Sequence, residues 1–125
     1  MPDLHITATG STPKIIADHT AGTLRMTGDS YPENAFELFQ PVIEWIDHYL
    51  TQDPARAFDL HVELVYLNTS SIRSMMDIFD SLEEAHERGV DISVRWYFDA
   101  GNGRVGDLAR EFREDYSFPF HIVGR

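Results

Sequence analysis

The chain has 125 residues, 42% of them hydrophobic and 25% charged, which fits one globular domain able to bury a core without disulfide or metal staples. It has no cysteine, so disulfides, thiol nucleophiles, iron–sulfur clusters and cysteine-ligated zinc are excluded. Its formal net charge is −11, from 21 acidic and 10 basic residues, and repulsion from phosphate backbones and anionic lipid argues against nucleic acid or a membrane surface as partner.

The first residues, Met1-Pro2-Asp3-Leu4-His5, carry no basic n-region, and no apolar run is long enough to span a bilayer. The expected location is the cytoplasm. Lys14–Asp18 and Thr23–Thr27 flank the turn-like His19-Thr20-Ala21-Gly22, which predicts an opening β-hairpin. Gly28-Asp29-Ser30-Tyr31-Pro32-Glu33 reads as a helix start, because Ser30 and Glu33 have capping-box spacing and Pro32 falls in the first turn. Phe36, Phe39, Val42, Ile43, Ile46, Tyr49 and Leu50 then recur at helical spacing. Pro41 lies inside that pattern, so a kink or a break is expected near it.

From Phe58 to Leu67 the even positions are apolar and the odd ones polar as far as Val65, and Val90 to Phe98 repeats the alternation. Between them a helix from about Ser70 to Arg88 places Ile72, Met75, Met76, Phe79 and Leu82 on one face, with Gly89 as its stop. Strand, helix and strand at this spacing form a βαβ unit with parallel strands. A third helix, near Asn102–Asp115, leads to a last strand near Phe118–Val123. Strands buried on both faces read as continuous apolar runs; these alternate. The expected fold is therefore a single α/β domain over residues 1–125, a two-layer sandwich. Its mixed sheet begins with the N-terminal hairpin and carries helices mainly on one face.

Searches for catalysis return little. Lys14 is not in a glycine-rich loop, no G-x-x-x-x-G-K-[ST] occurs, and there is no G-x-S-x-G elbow. Gly101-Asn102-Gly103-Arg104-Val105-Gly106 lacks the dinucleotide-binding spacing and reads as a turn. His61 and Glu63 share a strand face, but two ligands on an exposed strand read as a solvated pair, not a metal site. Acid–base catalysis by His61 with nearby carboxylates has no orienting group in the sequence. Asp77, Asp80, Glu84 and Glu87 form an acidic stripe that reads as the solvated face of an amphipathic helix. The chain is expected to have no catalytic residues, no metal and no cofactor.

Asn68-Thr69-Ser70-Ser71 stands out because it lies where a strand meets a helix start. One side chain suffices to cap the helix, so the hydroxyls are in surplus. A phosphate there would face free N–H groups and the positive end of the helix dipole, and would bring about −1.5 to −2 charge to a small patch.

Four stretches carry a resemblance: Gly28–Asn34, Tyr66-Leu67-Asn68-Thr69-Ser70-Ser71-Ile72, Met75–Asp80 and Glu111–Phe120. In order and spacing the chain resembles the SiaC family of bacterial regulatory phosphoproteins. The resemblance implies a STAS-like fold and a partner-switching function. In such proteins a serine/threonine kinase phosphorylates the threonine of the L-N-T-S-S motif, and a PP2C-type phosphatase removes the phosphate. The unphosphorylated form binds and activates a diguanylate cyclase, raising cyclic di-GMP and promoting biofilm formation. The resemblance places the phosphosite at Thr69, surrounded by Asn68, Ser70, Ser71 and Arg73. The alternative is a small-ligand module that holds an anion or nucleotide at the same helix start and requires converging basic groups; Arg73 is the arginine close by in sequence.

Overall fold

A computed structural model describes residues 2–52 and 54–125; Met1 and Asp53 lie outside the described residues. Six strands and three helices follow in the order β1 (Leu4–Ile6), β2 (Lys14–Asp18), β3 (Thr23–Ser30), α1 (Ala35–Leu50), β4 (Phe58–Leu67), α2 (Thr69–Glu87), β5 (Ile92–Phe98), α3 (Gly103–Glu114) and β6 (Phe120–Gly124). The strands form one sheet in sequential order, β1-β2-β3-β4-β5-β6. The first three pair antiparallel and the rest parallel, so the expected hairpin opens a mixed sheet that continues as successive βαβ units.

Alternation in the strands sets which face is buried. Leu24 pairs with Leu60 and Leu60 with Val94, while Met26 pairs with Val62 and Val62 with Trp96. All six are buried. The helices pack on this face: Trp45 of α1 lies 6.3 Å from Phe58, Phe79 of α2 lies 6.4 Å from Trp96, and Phe112 of α3 stacks on Trp96 at 5.7 Å. The expected two-layer arrangement is found. One consequence bears on function. Ligand crevices in open parallel sheets form where strand order reverses, and here the parallel strands advance in one direction with no reversal.

Three expectations need correction. The stretch Gly28–Glu33 does not start a helix: β3 runs on to Ser30 and pairs with β4 through a register shift between Gly28 and Asp29. The helix begins at Ala35, where the Asn34 side chain accepts from the Glu37 N–H. Inter-strand pairing with β4 outweighs the local capping signal of Ser30 and Glu33. Of the kink or break expected at Pro41, the break is absent, since α1 runs continuously from Ala35 to Leu50. Pro41 is exposed, so the carbonyl it leaves unbonded can be hydrated, while Phe39, Val42, Trp45, Ile46 and Tyr49 stay buried on the inner face. Phe36, assigned by spacing to that face, is instead 71% exposed. Finally, the short strand β1 adds an edge that the periodicity did not reveal.

Candidate functional site

The junction of β4 and α2 is built around Asn68. Its side chain accepts from the Ser71 N–H at 2.9 Å and so caps α2, and it donates from Nδ2 to the Pro32 carbonyl at 3.3 Å. Ser70 donates its hydroxyl to Asn68 Oδ1 at 3.2 Å. The Asn68 N–H donates to the Ser30 carbonyl at 2.9 Å, and Ser30 and Ser71 share a 2.8 Å hydroxyl–hydroxyl bond. Both serines are fully buried. Ser71, expected among the surroundings of Thr69, is thus part of the scaffold beneath it. Thr69 and Ser70 are exposed. The Thr69 hydroxyl has no hydrogen-bond partner among the described residues.

Thr69 lines an open groove of about 780 Å³ between the starts of α2 and α3, together with Tyr66, Ile72, Arg104, Leu108 and Glu111. Asn102 spans this groove's floor, donating from Nδ2 to the Val65 carbonyl at 3.0 Å while capping α3. At the rim Val65, Tyr66 and Tyr31 are about half exposed. The two tyrosine rings meet edge to face at 5.8 Å, and the Tyr31 hydroxyl donates to the Gly10 carbonyl at 2.7 Å. Arg73 faces elsewhere: it lines a second groove, of about 650 Å³, between α1 and α2, and lies 3.9 Å from Asp77. The arginine brought to the Thr69 groove is Arg104, which sequence proximity did not suggest. Its only signal was its place in the first turn of a helix in the neighbouring βαβ unit.

The remaining candidates separate. The acidic stripe is exposed along α2, and Asp80 accepts from the Tyr116 hydroxyl at 2.8 Å. Gly101–Gly106 is only partly a turn, since Gly103–Gly106 forms the first turn of α3 and Gly106 packs so closely on Phe98 that a Cβ would lie 2.8 Å from its ring. His61 stacks on Tyr97 at 6.2 Å, and Glu63 pairs with Arg125 at 2.7 Å. Burial lowers the His61 pKa, and Arg25 and Arg95 lower it further against the opposing pull of Asp59. Its Nδ1 has no hydrogen-bond partner among the described residues, so no carboxylate orients the ring as an acid–base pair requires. Among the described residues no group of three or more His, Asp and Glu side chains is arranged to hold a metal ion, and no helix is long and apolar enough to cross a membrane.

A one-sided α/β sheet of six sequential strands with three helices on one face is the fold of a regulatory family. A model of the SiaC family regulatory phosphoproteins matches residues 6–125, and the chain belongs to this family. It is 57% identical over 122 residues to an uncharacterised protein of Pseudomonas aeruginosa strain UCBPP-PA14, covering 98% of this chain and 96% of that one. Among solved structures it is similar to SiaC of Pseudomonas aeruginosa, with 55% identity, full coverage of both chains and a TM-score of 0.93. It is also similar to a SiaC chain from the crystal structure of the diguanylate cyclase SiaD in complex with its activator SiaC, at 56% identity and a TM-score of 0.95, covering 98% of this chain and 100% of that one.

Proposed function

We propose that this chain is a cytoplasmic, single-domain, non-enzymatic regulator that binds and activates a diguanylate cyclase while Thr69 is unmodified. Phosphorylation of Thr69 by a serine/threonine kinase abolishes that binding, and a PP2C-type phosphatase restores it. Cyclic di-GMP output, and with it biofilm formation, then follows the phosphorylation state. The observation that carries this reading is the exposed Thr69 hydroxyl, unengaged by the fold, at the edge of an apolar-rimmed groove. Membership of a family of regulatory phosphoproteins supports the modification, and a relative seen in complex with a diguanylate cyclase supports the partner.

The switch needs no refolding. A phosphate of about −1.5 to −2 charge at the first residue of α2 is tolerated by the helix start and raises the desolvation cost of covering the groove. The small-ligand alternative is disfavoured because the groove holds Arg104 beside Asp107 and Glu111, a set without the converging positive charge an anion or nucleotide requires.

The test incubates wild type and Thr69→Ala with the kinase and ATP, then measures affinity for the cyclase by calorimetry and cyclic di-GMP production. Wild type should lose binding and activation while Thr69→Ala keeps both. If kinase treatment also abolishes binding by Thr69→Ala, Thr69 is not the switch.

A further inference from the structure

With all three helices on one face, the other face of the inner strands is bare, and its side chains align across the sheet. His5 pairs with Ile16, Ile16 with Arg25, Arg25 with His61, His61 with Arg95, and Arg95 with His121. This row crosses all six strands. In a chain of net charge −11 it contains no carboxylate. Arg25 and Arg95 are exposed, and among the described residues neither is ion-paired. The row runs perpendicular to the strands, so with adjacent strands about 4.8 Å apart the two arginines stand about 10 Å apart. Between them stands His61, whose ring stacks on Tyr97, two residues beyond Arg95 on β5, with their planes 4° apart.

One flank carries the opposite sign. About 7 Å along the strands on one side lie Asp18 and Asp59, which share a row through Thr23. On the other side Glu63 is bound to Arg125 and shares a row with Lys14 through Thr27, so this flank carries no net negative charge. A broad polyanion such as a nucleic acid or a bilayer would press phosphates against Asp18 and Asp59, whereas a ligand with a single line of negative charge along the row would not. Two carboxylates seven residues apart on an α-helix are separated by about 10.5 Å along the axis and lie on nearly the same side. That spacing matches Arg25 and Arg95.

The geometry points to this row as a second docking surface, distinct from the Thr69 groove, for an acidic α-helix of a partner protein lying across the strands. Glutamate or aspartate at i and i+7 receives Arg25 and Arg95, each guanidinium able to donate two parallel bonds to a carboxylate. The residue at i+3 or i+4 rests on His61, and lysines on the helix flank face Asp18 and Asp59.

The probe is an alanine-based helical peptide of about 18 residues with glutamates at i and i+7 and flanking lysines, titrated into the full chain at low ionic strength and followed by amide and imidazole NMR. Saturable shifts confined to the open face of β3, β4 and β5 are expected. The His61 titration midpoint should also rise, because the bound carboxylates offset the repulsion from Arg25 and Arg95. Arg25→Gln and Arg95→Gln should each weaken binding several-fold and the double variant at least ten-fold. Arg113→Gln, on α3, should leave it unchanged. A permuted peptide with adjacent glutamates binding equally well, shifts on the helices, no saturation, or an unaffected double variant with a native amide spectrum would each overturn the proposal. Tighter binding of this row to oligothymidine or to phosphatidylserine vesicles would overturn the choice of a protein helix.

Discussion

The hydroxyl pair Ser30–Ser71 joins the end of β3 to the start of α2 across 41 residues of sequence, and with the Asn68 bonds to the Ser30 and Pro32 carbonyls it ties the Thr69 junction to the sheet. Both side chains are fully buried. Ser71→Ala therefore strands the Ser30 hydroxyl away from water, and Ser30→Ala strands that of Ser71. Leaving a buried hydroxyl unpaired costs about 1–3 kcal/mol, whereas removing both partners together can be nearly neutral. Each single variant should lose about 1–2 kcal/mol, seen as a fall of about 3–8 °C in Tm for a chain of this length. The double variant should lose no more than the worse single, giving a coupling of about 1 kcal/mol or more. Urea unfolding of the four proteins at pH 7 measures this cycle, with equal m-values as the check that only stability has changed. Losses that add to within about 0.3–0.5 kcal/mol would mean that the pair is not a coupled bond, and that water or rearrangement satisfies the survivor.

Asn68→Ala removes the cap of α2 and the bond to the Pro32 carbonyl and should cost about 0.5–2 kcal/mol in the same assay, with Asn68→Asp recovering the cap. Gly22→Ala should destabilise far more than Gly89→Ala in thermal melts. Both have positive φ, +70° and +93°, but a Cβ at Gly22 would lie 2.8 Å from the Ala57 carbonyl oxygen, while Gly89 faces open space; the latter should lose about 1–2 kcal/mol. Burial pushes the Glu83 carboxyl up, but the Ser117 hydroxyl and N–H, donating at 2.6 and 2.9 Å, outweigh it and hold the pKa below its ordinary value. A lowered folded-state pKa adds stability above the unfolded value that is lost as pH falls through the folded one. Ser117→Ala should thus narrow the stability difference between neutral and acid pH, read by urea unfolding at each.

How much could be read in advance depended on whether the signal was local. The alternation in Phe58–Leu67 and Val90–Phe98 announced both strands and the one-sided sheet, because a strand with one wet face must write that fact into every second residue. Gly89, with φ of +93°, ended α2 where expected. The misreadings are places where a distant partner decides. Ser30 and Glu33 look like a capping box until β4 extends β3 through Ser30, and Ser30 then spends its hydroxyl on Ser71. Pro41 looks like a break until its exposed position leaves the unbonded carbonyl to water. Arg104 reaches the groove from a separate βαβ unit, and nothing in the neighbourhood of Thr69 in the sequence names it.

The arrangement around Thr69 divides labour in a way that bears on how a switch there can work. Asn68 caps the helix, Ser71 and Ser30 clamp it to the sheet, and Ser70 bonds back to the cap. Every structural duty at the helix start is taken by a neighbour, and the Thr69 hydroxyl keeps none among the described residues. Thr69→Ala should therefore stay within about 0.5 kcal/mol of wild-type stability, although it removes the proposed regulation. Under the proposed switch, a modified side chain at such a position would act only on what approaches the groove. If urea unfolding showed Thr69→Ala to be destabilised as much as Asn68→Ala, the hydroxyl would be structural, and phosphorylation would have to act by loosening the helix start instead of by occupying the groove.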